Sequence, residues 1–218
     1  MKIRTEEDLQ NEIDKEMAWR KKELTAIKAN ISSSRKFAKD TALRSGIALL
    51  YAHWEGAIKN IAHFYLVYVS SLRLPYNSIK PNFLAISIKY DLSIFETTAK
   101  ATLHEKIVTS IIGKQSEKSH IPTKDIIKTS SNLNSEVFIE IMASIGLDCT
   151  NYETSYKLID DVLLNMRNKI AHGERLGHEL SLDEARYTEI HDVVFNLIEQ
   201  FAIQVLNSAV LKEYRISQ

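Results

Sequence analysis

From Ala38 to Ser71 the chain contains no proline and sets Leu43, Ile47, Leu50, Tyr51, Trp54, Ile58, Ile61, Phe64, Tyr65 and Tyr68 around more than one face of a helix. A helix apolar on several sides is stable only when other elements surround it or it lies in an interface, which places this one at the centre of a bundle. Within the apolar run from Ile47 to Val69 stand His53, Glu55, Lys59 and His63. Ionisable groups at those depths are costly in lipid, so a buried core helix is expected and no membrane partner. Only 6 glycines and 3 prolines punctuate 218 residues, which favours long uninterrupted helices over short strands and tight turns. The expected class is all-α, a bundle with long antiparallel core helices, formed as one domain over residues 1–218.

The flanking segments support that class. Thr5-Glu6-Glu7-Asp8 has the form of a helix start, and Leu9, Ile13, Met17, Leu24, Ile27 and Ile31 then recur on one stripe with charged residues between them. Ser32 to Ser34 breaks or bends this helix. Pro75 and Pro81 end the central helix and mark a loop, after which 82–114 reads as one or two less regular helices burying Leu103, Ile107, Ile111 and Ile112. The polar stretch 113–134, with Pro122, is the expected mobile loop. A short helix over 135–145 stops at Gly146, and another over 152–171 buries Tyr156, Ile159, Val162, Leu163 and Met166 before Gly173 stops it. Ser181-Leu182-Asp183-Glu184 has the form of a capping box for a last helix carrying Val194, Leu197, Ile198, Phe201, Val205 and Leu206.

Charge and cysteine content narrow the function. The 28 basic and 28 acidic residues cancel, so any phosphate binding must be local. The lone Cys149 forms no internal disulfide, and the N-terminal residues do not resemble a signal peptide; the cytoplasm is the expected compartment. Ser32 to Ser34 makes no nucleophile elbow and the few glycines make no phosphate loop, which sets aside the corresponding hydrolases and NTPases. His172, His178 and His191 with Glu179 lack metal-ligand spacing, so no metal and no cofactor is expected.

The string Met166-Arg167-Asn168-Lys169-Ile170-Ala171-His172-Gly173-Glu174 crowds polar groups into the end of a helix. At about 100° per residue Asn168 and His172 share a face, whereas Arg167 lies about 140° around from His172. Two arrangements bring Arg167 and His172 to one atom: the last turn loosens at Gly173, or a second copy of the chain presents its own motif to the first.

This string resembles the R-x-x-x-x-H motif of the HEPN (higher eukaryotes and prokaryotes nucleotide-binding) family, with the polar Asn168 directly after the arginine. Tyr51-Ala52-His53-Trp54-Glu55-Gly56 is similar to an aromatic and acidic helix in a bacterial subgroup of that family. The resemblance implies metal-independent RNA cleavage at a composite site in a homodimer, often in toxin–antitoxin or phage-defence settings, with a cognate antitoxin as a further partner. Arg167, Asn168 and His172 are the implied catalytic residues. Imidazole titrates near neutrality and serves as proton acceptor or donor, while guanidinium offers planar donors to phosphate oxygens. Glu55, His53, Lys169 and Glu174 are candidates for substrate binding or support. Glu174 is also a departure, because a branch whose toxins are inactivated by nucleotidyl transfer carries tyrosine there.

Plainer alternatives accompany each assignment. Arg167 and His172 could be a surface arginine and a helix-end histidine; Glu55 a buried carboxylate satisfied by an Arg or Lys of another helix; His53 and His63 satisfied core histidines; Trp54 simple packing. Lys21-Lys22 and Arg35-Lys36 belong to solvated faces or extend a track for RNA. At the level of the whole chain, the rival is a non-catalytic HEPN interaction or nucleotide-binding module.

Overall fold

The structure, a computed structural model, describes residues 2–176 and 180–216. It is 74% helical, and the β-type pairings among the described residues are two isolated bridges, so the chain is an all-α helical bundle.

Helix α1 (Glu6–Ser33) opens on the expected cap: the Thr5 hydroxyl accepts from the Asp8 amide at 3.0 Å, and the Asp8 carboxylate accepts from the Thr5 amide at 3.2 Å. Each group satisfies a donor that the helix start would otherwise leave unpaired. Leu9, Ile13, Leu24 and Ile31 are buried, Met17 and Ile27 partly so. The chain reverses over residues 34–36 into α2 (Phe37–Ser71), whose expected apolar set is buried except for the half-buried Phe64. Contacts between Ile31 and Gly46, Arg20 and His53, and Glu6 and Tyr68 show that α1 and α2 are antiparallel.

The third core helix, α8 (Glu184–Val210), pairs Lys28 with Asp192 and Ser32 with Glu184, so it too runs antiparallel to α1 and in the same direction as α2. By length and composition α8 could cross a membrane, yet Tyr187, Ile190, Val194, Ile198, Phe201 and Val205 are buried against the rest of the bundle. Full burial of side chains of this size contributes roughly 1.5–3 kcal/mol each, which makes α8 a core helix. It starts later than the Ser181 capping box predicts. Asp183 is the cap, accepting from the Arg186 amide at 2.8 Å, and Glu184 is released to bind Lys39 of α2.

Between α2 and α8 the sequence reading needs three corrections. Pro81 does not lie in a loop; it occupies the first turn of α3 (Pro81–Ser87), where a missing amide proton costs nothing. Two helices follow, α4 (Lys89–Thr97), which packs on α3, and α5 (Ala101–Lys114), which packs on α4. Leu103, Ile107 and Ile111 are consequently only half-buried and Ile112 is exposed, because no described residue covers the far side of this hairpin. The polar stretch after α5 is not a free excursion. Ile121, Ile127 and Leu133 enter the core and pin it along α2.

Helix α6 (Ser135–Ile145) ends at Gly146 with φ +72°, as expected. A wide π-type turn, Leu158–Leu164, then runs without interruption into α7 (Asn165–Ala171), burying Ile159, Leu163 and Met166. Such turns are rare and frequently stand at functional sites. This one directly precedes the polar string.

Candidate functional site

The final turn of α7 does not loosen. The His172 amide donates to the Asn168 carbonyl at 3.0 Å, the Gly173 amide to Ile170 at 3.1 Å, and the Glu174 amide to Lys169 at 2.8 Å. This is a closed Schellman ending, and Gly173 supplies the left-handed residue at φ +75°. Arg167 and His172 therefore keep the helical angle between them and point to different places. His172 is exposed at the tip with Glu174, and among the described residues its ring has no hydrogen-bond partner; Lys169 is half-buried.

Arg167 turns toward α2. Its guanidinium lies over the Tyr51 ring, 4.0 Å from the centroid, and Nη2 donates to the Ser131 carbonyl at 2.6 Å. Nη1 donates to the Asn168 side-chain oxygen at 2.9 Å, and the Glu55 carboxylate stands 3.9 Å from Nη2. Nε is buried and has no partner among the described residues. A planar cation stacked on an aromatic face and tied at its edges has little freedom left, so the protein has fixed this charge in advance. Glu55 also accepts from the Thr129 hydroxyl, and the Tyr51 hydroxyl accepts from the Leu133 amide. Burial first, and then the Glu55 charge, push the Tyr51 phenol upward, which keeps it neutral. Glu55 is half-buried, takes its hydrogen bond from Thr129, and has the motif's arginine as its nearest cation at 3.9 Å.

His53 is not part of this constellation. It points to α1, where Arg20 Nη1 donates to its carbonyl at 3.1 Å and approaches Nδ1 at 3.2 Å, while Nε2 stands 3.1 Å from Glu23. Guanidinium can only donate, so Nδ1 is the acceptor and Nε2 carries the proton toward Glu23. Burial, then the Arg20 charge, lower the His53 pKa and favour this neutral form. Gly56 belongs to the same contact, since a Cβ there would lie 2.7 Å from Arg20 Nη2. The hexapeptide therefore works on two sides: Tyr51 and Glu55 face α7, His53 and Gly56 face α1, and Trp54 packs into the core 5.5 Å from Phe138.

Thr129, Ser131 and Leu133 were not singled out in the sequence, and Arg20 was read as part of a solvated face. Leu133 and the aliphatics six and twelve residues before it were the available signal that 119–134 is anchored. Of the histidines weighed for metal, His191 is buried in α8 and bonds Asp192 at 2.8 Å; His178 and Glu179 lie outside the described residues.

No curated protein and no solved structure matches the chain. The family model described as RiboL-PSP-HEPN matches residues 15–207, a span that runs from the first turns of α1 through the motif into the last turns of α8. HEPN domains are generally associated with RNA cleavage or nucleotide binding. With the motif string and the Tyr51–Gly56 hexapeptide both inside that span, the chain belongs to the HEPN family, in its RiboL-PSP-HEPN group.

Proposed function

We propose that the protein is a metal-independent endoribonuclease whose active site is completed by a second copy of the chain, acting in a toxin or phage-defence setting with a cognate antitoxin as its counterpart. The observation that carries this reading is the pre-set Arg167 guanidinium beside Asn168, five residues from a solvent-facing imidazole. The closed end of α7 keeps those two groups apart within one chain, so convergence on one phosphate calls for a partner's motif. A recess lined by Phe37, Leu43, Leu176 and Leu182 together with Asp40, Arg44 and Arg175 adjoins the motif's end, and Phe37 there is 87% exposed, which offers a second copy a surface to cover.

In the proposed reaction the ribose 2′-hydroxyl attacks the adjacent phosphorus and loses its proton to one His172 imidazole. The bond from phosphorus to the 5′-oxygen breaks as the other His172, in imidazolium form, protonates that oxygen. The products are a 2′,3′-cyclic phosphate and a 5′-hydroxyl. Arg167 stabilises the added negative charge on the phosphoryl oxygens, and Asn168 holds Arg167 in place.

The test is incubation of purified protein with RNA in EDTA beside Arg167→Ala and His172→Ala, with the product ends mapped and the oligomeric state measured by sedimentation. Cleavage that survives chelation and falls about 10²–10⁴-fold in each variant is expected. Equal activity in all three proteins, or a strict monomer that cleaves at the full rate, overturns it.

One observation favours the non-catalytic rival: both terminal nitrogens of Arg167 already donate inside the protein. An interaction or nucleotide-binding module would bind a protein or nucleotide without cleaving RNA, and His172→Ala would leave its cellular phenotype intact.

A further inference from the structure

Along α2, Tyr51, Glu55, Lys59 and His63 recur at steps of four, which keeps them on one stripe and advances about 6 Å per step. The first two hold Arg167. The next two leave the motif and form one wall of a cleft of about 510 Å³. The opposite wall is the loop from Thr123 to Ser131, which contributes Lys124, Lys128, Ser130 and Ser131. The cleft and the motif share residues: Thr129 and Ser131 line the cleft, and the same two bond Glu55 and Arg167.

The lining is basic. Lys59, Lys124 and Lys128 are exposed, and among the described residues none of them makes an ion pair. Asp125 is the one acid in the lining, and the nearby Glu16 is turned onto Arg20 and Asn60. Asp125, Ser130 and Ser131 hold φ of +57°, +53° and +63°, left-handed values that L-residues rarely adopt. Backbone in such conformations concentrates at ligand clamps, where the surrounding structure maintains it. In a chain of zero formal charge, three lysines set against the single carboxylate of Asp125 make this concavity locally basic.

We propose that this cleft is a phosphate-backbone subsite that holds single-stranded RNA beside Arg167, flanking the bond to be cut. A recess of this volume has room for roughly one or two nucleotides. That the occupant is RNA rests on the nuclease reading; that the cleft takes phosphate does not.

The test uses an oligoribonucleotide with 2′-O-methyl riboses throughout, which binds but lacks the attacking hydroxyl. Its affinity is measured by fluorescence anisotropy over a salt series for three proteins: wild type, the triple variant Lys59→Gln, Lys124→Gln, Lys128→Gln, and a control triple Lys89→Gln, Lys100→Gln, Lys106→Gln on the α4–α5 hairpin. Loss of three phosphate contacts should weaken binding by roughly 10- to 100-fold near 0.1 M salt and reduce the slope of log K against log salt by about 2. The control should change affinity less than about threefold. Wild-type affinity and slope in the cleft variant, or no oligomer binding by the wild type, overturns the proposal. So does a mononucleotide that competes as well as the oligomer, since the cleft would then be a nucleotide pocket. Binding lost in the cleft variant of a protein that never cleaves RNA supports the cleft and sinks the nuclease; cleavage with unchanged oligomer binding does the reverse.

Discussion

Arg20 and Arg167 each reach the same short segment of α2 from opposite sides, and the protein treats them differently. Arg20 is 3% exposed, crosses from α1, and has Glu16, the His53 carbonyl and the His53 ring as partners. Arg167 comes from α7 and retains about 20% of its side-chain exposure; its carboxylate lies 3.9 Å away and its Nε has no partner among the described residues. All three nitrogens of Arg20 donate to Glu16 or His53, which suits a charge whose task is to join two helices. Around Arg167 the fixation is as firm but less complete, and one edge remains near solvent, which suits a charge kept for something outside the chain. Burial and satisfaction, not residue type, separate the structural arginine from the candidate functional one.

The strongest challenge to this contrast is to remove each guanidinium and measure stability. Arg20→Ala leaves the nearly buried Glu16 carboxylate without its cation and with only Trp19 and Asn60 as donors, and stripping one partner from a buried pair typically costs about 3–5 kcal/mol. Denaturant unfolding should show a loss of that order. Arg167→Ala removes a partly solvated charge whose carboxylate can rehydrate, and should cost about 1 kcal/mol or less. Equal losses would erase the distinction.

A smaller effect sharpens the Arg167 side. Glu55→Gln preserves the shape and the acceptor for Thr129 but deletes the charge that faces Nη2. If Glu55 is a positioning residue, RNA cleavage should fall roughly 10- to 100-fold while the unfolding midpoint barely moves, because misplacement of a catalytic charge by an ångström is costly in rate. A variant with the full rate would show that Tyr51 and Ser131 orient Arg167 unaided.

The two arginines also mark what could be read from the sequence. Local signals were legible: the Thr5 cap, the extent of α2, the left-handed ending at Gly146 and the Arg167–His172 string all depend on residues within a turn or two of each other. Arg20 was hidden because an arginine in a charged stretch of an amphipathic helix, next to Lys21 and Lys22, has the same local pattern whether water or another helix faces it. The partners of Arg167 were hidden for a related reason, since Ser131 lies 36 residues away in the chain and meets it only after the polar loop folds along α2. That loop was misjudged because its three core aliphatics are isolated among polar residues and match neither helical nor strand periodicity. Ser181 and Asp183 both had the chemistry of a cap, and which one opens α8 depends on where Glu184 finds its cation.

The mildest prediction tests the Arg20 side by acidity. His53 is held neutral, so its folded pKa lies below the ordinary value of about 6.5, and the half-buried His63 is shifted in the same direction by desolvation. From about pH 6.5 downward to the folded pKa, the unfolded chain binds more protons than the folded one, so folding becomes less favourable as pH falls. Glu16, lowered by its bonds to Trp19, Arg20 and Asn60 against its own desolvation, adds a loss of the same sign below about pH 4.5. The melting temperature should therefore decline from pH 7.5 to 5.5 and decline further in stronger acid. His53→Gln retains an acceptor for Arg20 and has no proton to gain, so its melting temperature should fall less steeply over the upper step. Parallel curves for the variant and the wild type would mean that folding does not depress the His53 pKa, and that the ring is no acceptor for Arg20.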